Sequence, residues 1–330
     1  MKISFIIPVF NRPGETGELL QSLSLQTNRD FEVIIVEDGS TESSESVVEQ
    51  YRGLLDISYF HKENSGPGPS RNYGCEKAGG DYMIFLDSDC ILPESYFQTV
   101  IYTLERNFTD AFGGPDRAHK DFTGFQKAVN FSMTSFLTTG GIRGGNEKME
   151  KFHPRSFNMG FSKVVYEATG GFSTMRFGED VDLSIRILEK GFTTQLIREA
   201  FVYHKRRTNL RRFFKQVYNS GIARINLQFR HPGTLKLVHA LPALFTLGVV
   251  ALLLLAFLVS WFFAVPLLFH VLLLFLSAAL KTNSLSIGFL AVVTSYTQFF
   301  GYGTGFLNAF WRRMVLGRDE FSAFKKNFYE

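Results

Sequence analysis

The feature that most constrains the fold of this 330-residue chain is a window with no acidic residue between Glu199 and Asp319, inside which 238–280 is almost uninterruptedly apolar. At about 1.5 Å per residue, a run of that length reaches roughly twice the ~30 Å thickness of bilayer hydrocarbon, so two membrane helices are expected in place of one core helix. Charge divides the chain at the same place. Up to Glu199 there are 20 Lys and Arg against 28 Asp and Glu; from Ala200 onward there are 15 against 3. The expectation is an acidic soluble head, 1–204, a basic interfacial segment, 205–237, and a membrane region with a basic tail, 238–330.

Within the membrane region the spans are placed at about 241–260 and 264–280, joined by an uncharged turn around Trp261 and Pro266. A third apolar stretch, 285–310, contains GYGTG; crossing there would leave Arg312, Arg313 and Arg318 outside, against the positive-inside rule, so a re-entrant or in-plane segment is expected. Residues 204–236 carry nine Lys and Arg and no acid. Nucleic acid is one partner for such a cluster, but continuity with apolar sequence favours an interfacial helix on anionic lipid, with Leu210, Phe213, Phe214, Val217 and Ile222 as its buried face. No nucleic-acid partner is therefore expected. The opening MKISFIIPVFNR is too short an apolar run for a signal peptide and reads as a first strand, which leaves the head in the cytosol and the protein in the cell membrane as a multi-pass chain. Cys75 and Cys90 have neither C-x-x-C spacing nor a metal-site histidine pattern, and both are expected to be reduced.

The head alternates apolar strands with amphipathic helices: ISFIIPV and 15–26, FEVIIVE and 43–51, ISYF and 70–78, YMIFL and 94–106. Short continuous apolar strands separated by helices predict an α/β fold, a Rossmann-like, mostly parallel sheet covered on both faces. Ligands of such sheets bind beyond the carboxyl ends of the strands. Further on, a helix is expected at 122–137, a loop or lid at GGIRGGN (140–146), a strand in SFNMGFS, a helix at 163–169, and a helix in EDVDLSIRILEKG with Glu179 and Asp180 at its start.

YMIFLDSDC ends a buried-type strand with Asp87 and Asp89, which fall on one side of an extended chain. Two hard oxygen ligands at an open sheet edge suit Mg²⁺ or Mn²⁺, which would relieve their repulsion and bridge to a diphosphate; a solvated Asx turn is the alternative. A second D-x-D, Asp180 and Asp182, is about 200° apart on a helix and poorly placed to chelate one ion. Asp38 ends the second strand, where a strand-to-helix turn is the plain alternative to ligand binding. ENSGPGPSRNYG places Arg71 near a helix N-terminus, which favours an anionic ligand. His204 closes the strand-like FVY, where a neutral imidazole would complete a metal shell or simply face lipid.

Taken in order, PVFNR, IIVEDGST, NSGPGPSRNYG, FLDSDC, NMGFSKVVYEATGGF and GEDVDLSIRI resemble the family 2 glycosyltransferases, whose nucleotide-sugar-binding fold is called GT-A; the resemblance covers about 2–228. It implies that Asp38 contacts the donor's base, Asp87 lies by the ribose, Asp89 holds a divalent cation (Mn or Mg), and Asp180 is the base of an inverting transfer. It also implies that arginines of the basic stretch reach the donor diphosphate. Glu37-Asp38 stands where the family often has two aspartates. The roles agree with the chemistry, since departure of a nucleoside diphosphate needs positive charge and the acceptor hydroxyl needs a base. A helix N-terminus favours the charged form of Asp180, and Glu179 is a candidate acceptor-orienting group beside it.

The expected activity is single-sugar transfer from a nucleotide-sugar donor, a UDP-sugar first, to a lipid-linked or glycan acceptor for envelope or surface glycan assembly. A polyprenyl-phosphate sugar synthase is the near alternative. A processive synthase would show Q-x-x-R-W, whereas Val-Tyr-Asn-Ser follows Gln216. From other classes, a nucleotidyltransferase would need a glycine-rich basic loop after the first strand, which PVFNRPGE does not match, and a scaffold would have lost the carboxylates.

Overall fold

The computed structural model describes residues 1–119, 121–139 and 152–324; the expected GGIRGGN loop lies outside these. Chain contacts divide it into a first unit, Met1–His119 with Glu147–Lys205, and a second, Lys120–Asn146 with Arg206–Glu330.

In chain order the first unit contains β1 (Ile3–Val9), α1 (Pro13–Ser24), β2 (Glu32–Asp38), α2 (Glu45–Glu49), β3 (Asp56–Lys62), α3 (Pro67–Lys77), β4 (Tyr82–Leu86), β5 (Cys90–Ile91), α4 (Tyr96–Arg106), β6 (Ala111–Gly113) and β7 (Asp116–Arg117). The chain then enters the second unit through α5 (Gly124–Thr134) and α6 (Phe136–Thr139). It returns with β8 (Asn158–Ser162), α7 (Lys163–Thr169), α8 (Glu179–Glu189), β9 (Thr194–Leu196) and β10 (Val202–His204). The second unit continues with α9 (Leu210–Arg230), α10 (Leu237–Leu258), a 3-10 turn at Trp261–Ala264, α11 (Val265–Thr282), α12 (Leu285–Ala309) and a π-helical turn at Phe310–Val315.

Seven strands form one sheet in the order β3-β2-β1-β4-β8-β6-β9. Strands β1 to β4 run parallel, as the apolar runs predict. Because β2 and β4 flank β1 on opposite sides, the crevice beyond their carboxyl ends is a topological switch point, the usual ligand position in such sheets. Beyond β4 the sheet is mixed: β8 is antiparallel, with Asn158 opposite Leu86, so β8 begins at the rim where β4 ends. A second sheet, β5-β10-β7, sets His204 opposite Cys90.

Alternation along the strands serves two cores. Phe5, Ile7, Val33 and Ile35 pack on Leu19, Leu20 and Leu23 of α1 and on Phe97, Val100 and Leu104 of α4. On the opposite face, Ile6, Ile34, Val36, Met83 and Phe85 meet Cys75 of α3, Val165 of α7, and Leu183 and Ile187 of α8. Helix α3 lies so close to the sheet that a Cβ at Gly74 would collide with Ile6, which fixes how far the Arg71 side chain sits from the strand ends.

The segment 122–137, placed with the head from sequence, packs instead in the second unit. Its apolar residues Ala128 and Phe131 are covered by Leu274, Ala278 and Ala291, and Ser132 shares a hydrogen bond of 2.6 Å with Thr294. It is also two helices, broken where Ser135 turns extended. Residues 285–310, expected to be re-entrant or in-plane, form one continuous helix of 25 residues. The GYGTG glycines do not interrupt it; they let neighbours approach. A Cβ at Gly301 or Gly305 would strike Val217 or Tyr218 of α9, and one at Gly303 would strike Thr246 of α10. Helix Leu237–Leu258 and the 22-residue helical stretch Trp261–Thr282 are long and apolar enough to cross a membrane, and both are mostly exposed.

Replacing Gly74 by valine should lower the melting temperature of the purified protein by several degrees, corresponding to about 2 kcal/mol of overpacking, as read by thermal circular dichroism. An unchanged melting temperature would show that α3 has room to move off the sheet.

Candidate active site

The loops leaving β1 and β2 are stitched together by side chains of the PVFNR and EDGST stretches. Asn11, in a left-handed conformation that asparagine tolerates, accepts from the amides of Thr41 (2.8 Å) and Glu42 (3.1 Å), while its own amide donates to Ser40 Oγ (2.7 Å). Glu37 is wholly buried and accepts from Ser40 Oγ, from the Ser44 amide (2.8 Å) and from the Tyr59 hydroxyl (3.1 Å). Burial, with the Glu37 charge adding to it, pushes Tyr59 up to about 12, so this phenol remains a donor. Glu37 therefore organises the loop, and the departure from an aspartate pair at this position is structural.

Asp38 ties the end of β2 to the loop that opens α3. Its Oδ1 accepts from Lys62 Nζ (2.8 Å) and the Ser65 amide (2.9 Å), its Oδ2 from the Gly66 amide (2.8 Å). Gly66, at φ 94, occupies backbone space that side-chain-bearing residues rarely adopt, and α3 starts from it.

Arg71, one turn into α3, is 3% exposed. Its guanidinium forks to Asp87 Oδ1 (2.7 Å) and Glu179 Oε1 (3.0 Å) and lies over the Phe172 ring at 5.2 Å. Burial opposes the arginine's charge, but Asp87 and Glu179 outweigh it and hold Arg71 above its ordinary value. Thus one buried side chain joins the DSD strand end to the first turn of α8.

The second aspartate of that motif meets a different set. Asp89 Oδ1 lies 3.1 Å from His204 Nε2, and its Oδ2 accepts from Arg12. His204 Nε2 is also 3.7 Å from Asp87 Oδ2, and the imidazole stacks on Phe157 with ring centroids 5.1 Å apart. Asp89, Cys90 and His204 together present ligand atoms within 4.8 Å of one another. Cys90 is the poor member of that trio: burial drives its thiol well above the ordinary value, and Sγ points to the Phe157 carbonyl. A carboxylate oxygen and an imidazole nitrogen remain, a donor pair that fits Mn²⁺ or Mg²⁺ once phosphate oxygens are added.

At the α8 N-terminus, Glu179 is 7% exposed and Asp180 lies beside Arg155, with Nε 3.2 Å from Oδ2. Burial, reinforced by the neighbouring Asp180 charge and offset by Arg71, raises Glu179 to about 7. Asp182 points away from this group and is held by Arg186 at 2.8 Å, which also caps the Thr169 and Gly171 carbonyls. The second D-x-D is thus structural in its last member, as its helical spacing predicts.

Asp87, Asp89, His204 and Glu179 are brought together, with Asp180 adjacent to Glu179 and Asp38 anchoring the helix that carries Arg71. Arg12, Lys62 and Arg155 escaped the reading of the sequence. The only signal for them was position: each lies in a rim loop or at a strand end, and each answers a carboxylate that motif reading had found.

The family model for glycosyl transferase family 2 matches residues 4–177. An uncharacterised glycosyltransferase of Haemophilus influenzae is 32% identical over 215 residues, covering 63% of this chain and 70% of that one. The GalNAc(5)-diNAcBac-PP-undecaprenol beta-1,3-glucosyltransferase of Campylobacter jejuni is 28% identical over 202 residues, covering 58% and 61%. The chain spans only 15% to 18% of the length of three Rickettsia glycosyltransferases that it matches over 106 residues. In fold it is similar to the mannosyltransferase PcManGT of Pyrobaculum calidifontis, solved with GDP-Man and Mn²⁺, at TM-score 0.70 and 17% identity, over 94% of this chain and 87% of the other.

Because Glu179 binds its proton more tightly folded than unfolded, its contribution to stability is complete below about pH 4.5 and is lost as pH rises through about 7. Melting temperatures measured from pH 5 to pH 8 should fall more steeply for the native protein than for Glu179→Gln, and parallel curves would remove the assigned titration.

Proposed function

Because the chain belongs to glycosyl transferase family 2, we propose that it transfers a sugar from a nucleotide-diphosphate donor to a hydroxyl acceptor with inversion at the anomeric carbon. The observation that carries this reading is the Arg71 bridge, which joins Asp87 at the end of β4 to Glu179 at the start of α8. Donor-side and acceptor-side chemistry then share one rim.

On the donor side, Asp38 keeps a lone-pair direction on Oδ2 for a base N–H, and Asp87, 31% exposed, is the outermost carboxylate and suits a ribose hydroxyl. Asp89 and His204 are the residues that would hold the divalent cation, whose chemistry when bound is to neutralise charge on the departing diphosphate. On the acceptor side, Asp180 takes the hydroxyl proton, and Arg155 beside it orients the carboxylate. Glu179, buried against Arg71, acts by fixing where Asp180 stands as well as by orienting the acceptor.

The two long apolar helices support attachment to the cell membrane, with the head on the cytosolic side, where nucleotide sugars are made. Together with the Campylobacter relative, whose acceptor is a glycan on a diphosphate-linked polyprenol, they support a lipid-linked acceptor. A UDP-sugar is the first donor to try; GDP-mannose, bound by the archaeal mannosyltransferase, is the second.

Membranes carrying the protein, given UDP- or GDP-sugars with Mn²⁺, should release nucleoside diphosphate; formation of nucleoside triphosphate and sugar 1-phosphate only when pyrophosphate is added would indicate a nucleotidyltransferase and overturn the reading. Asp180→Asn should reduce turnover by about 10³-fold, in the range of a lost general base, while donor affinity stays close to that of the native protein. Asp89→Ala should abolish both turnover and metal-dependent donor binding.

A further inference from the structure

We propose that Arg12 is a resident counter-ion that gates the cation position: it occupies Asp89 until a donor diphosphate draws it away, so the divalent cation enters with the nucleotide and not ahead of it. This rests on the reading of Asp89 and His204 as cation ligands.

Each aspartate of the DSD motif carries its own arginine, but the two arginines are held differently. Arg71 is 3% exposed and fixed between two carboxylates above Phe172. Arg12 comes from outside the core. It stands at the N-cap of α1 with φ −143 and ψ 51, its side chain is 22% exposed, and its guanidinium donates to Asp89 Oδ2. The other oxygen of the same carboxylate is the one that faces His204 Nε2 at 3.1 Å.

A guanidinium on Asp89 neutralises the charge that would attract a divalent ion and repels that ion at close range. Arg12 and the cation therefore compete for one carboxylate while the protein is alone. A diphosphate ends the competition, because its oxygens offer the guanidinium a forked, charge-assisted partner and at the same time add ligands for the cation. The backbone of Arg12 stays fixed in such an exchange, its carbonyl accepting from the Thr16 amide and hydroxyl at the start of α1, while the side chain moves.

The test is Mn²⁺ binding to the full-length, detergent-solubilised protein, followed by electron paramagnetic resonance with and without UDP, and in a parallel arm GDP. The native protein should bind Mn²⁺ at least about ten-fold more tightly with the matching nucleoside diphosphate than without it. Arg12→Gln should raise nucleotide-free affinity by about ten-fold and shrink that difference, whereas Arg12→Lys, which keeps the charge but not the fork, should keep the weak nucleotide-free affinity of the native protein. Native binding that is indifferent to nucleotide, or an Arg12→Gln affinity that stays the same or falls, would overturn the gate. Asp89→Ala separates the two levels of argument. If it binds Mn²⁺ normally, the ligand assignment itself fails; if it loses binding while Arg12→Gln changes nothing, only the gate fails.

Discussion

A guanidinium with almost no contact to water must find its solvation inside the protein. Arg71 finds it in two carboxylates that arrive from elements 16 and 108 residues away, Asp87 at the end of β4 and Glu179 at the start of α8. An unpaired buried charge is far more expensive than a paired one, so neither carboxylate can drift without stranding the arginine. The pair of contacts therefore dictates the mutual position of a strand end and a helix start. Its Nε, buried and without a hydrogen bond, shows that even this arrangement is not fully satisfied. The close approach of α3 to the sheet, which the lack of a side chain at Gly74 permits, is what brings the guanidinium within reach of both.

The same logic of compensation runs around the rim. Aspartates one residue apart repel, and so do Glu179 and Asp180. Arg71 serves one member of each pair, Arg12 and His204 serve Asp89, and Arg155 serves Asp180. Glu179, where burial and a like-charged neighbour outweigh Arg71, is left with a proton affinity near neutrality. Acidic residues accumulate here because each has a countercharge, and a phosphorylated ligand with its cation would rearrange those pairings without altering their balance.

Much of this was legible in the sequence where the pattern was long and local. Strands β1 and β4 are buried on both faces and so read as unbroken apolar runs; α7 is framed by Ser162, whose hydroxyl accepts from the Val165 amide, and by Gly170 in the left-handed conformation that ends it. Strand β5, of two residues, carries too little periodicity to be seen, yet its pairing with β10, the strand-like FVY, is what sets His204 beside Asp89. Arg12 and Asp89 are 77 residues apart, and nothing in either neighbourhood points to the other. The GYGTG stretch shows a different limit: glycine weakens a lone helix but lets a packed one approach its neighbours closely, and only α9 and α10 reveal which applies.

Because β8 runs against its neighbours, the rim receives the beginning of that strand where the other strands deliver their ends. Two residues just ahead of it are already engaged: Arg155 beside Asp180, and Phe157 beneath the His204 ring. A chain lengthened at this junction would bring new side chains to the rim while every hydrogen-bonded rung of the sheet stayed as it was, and closing a longer loop costs little more than closing a short one. Length added at this doorway would thus change what stands beside Asp180 while Asp38, Lys62 and the start of α3 kept their hydrogen bonds.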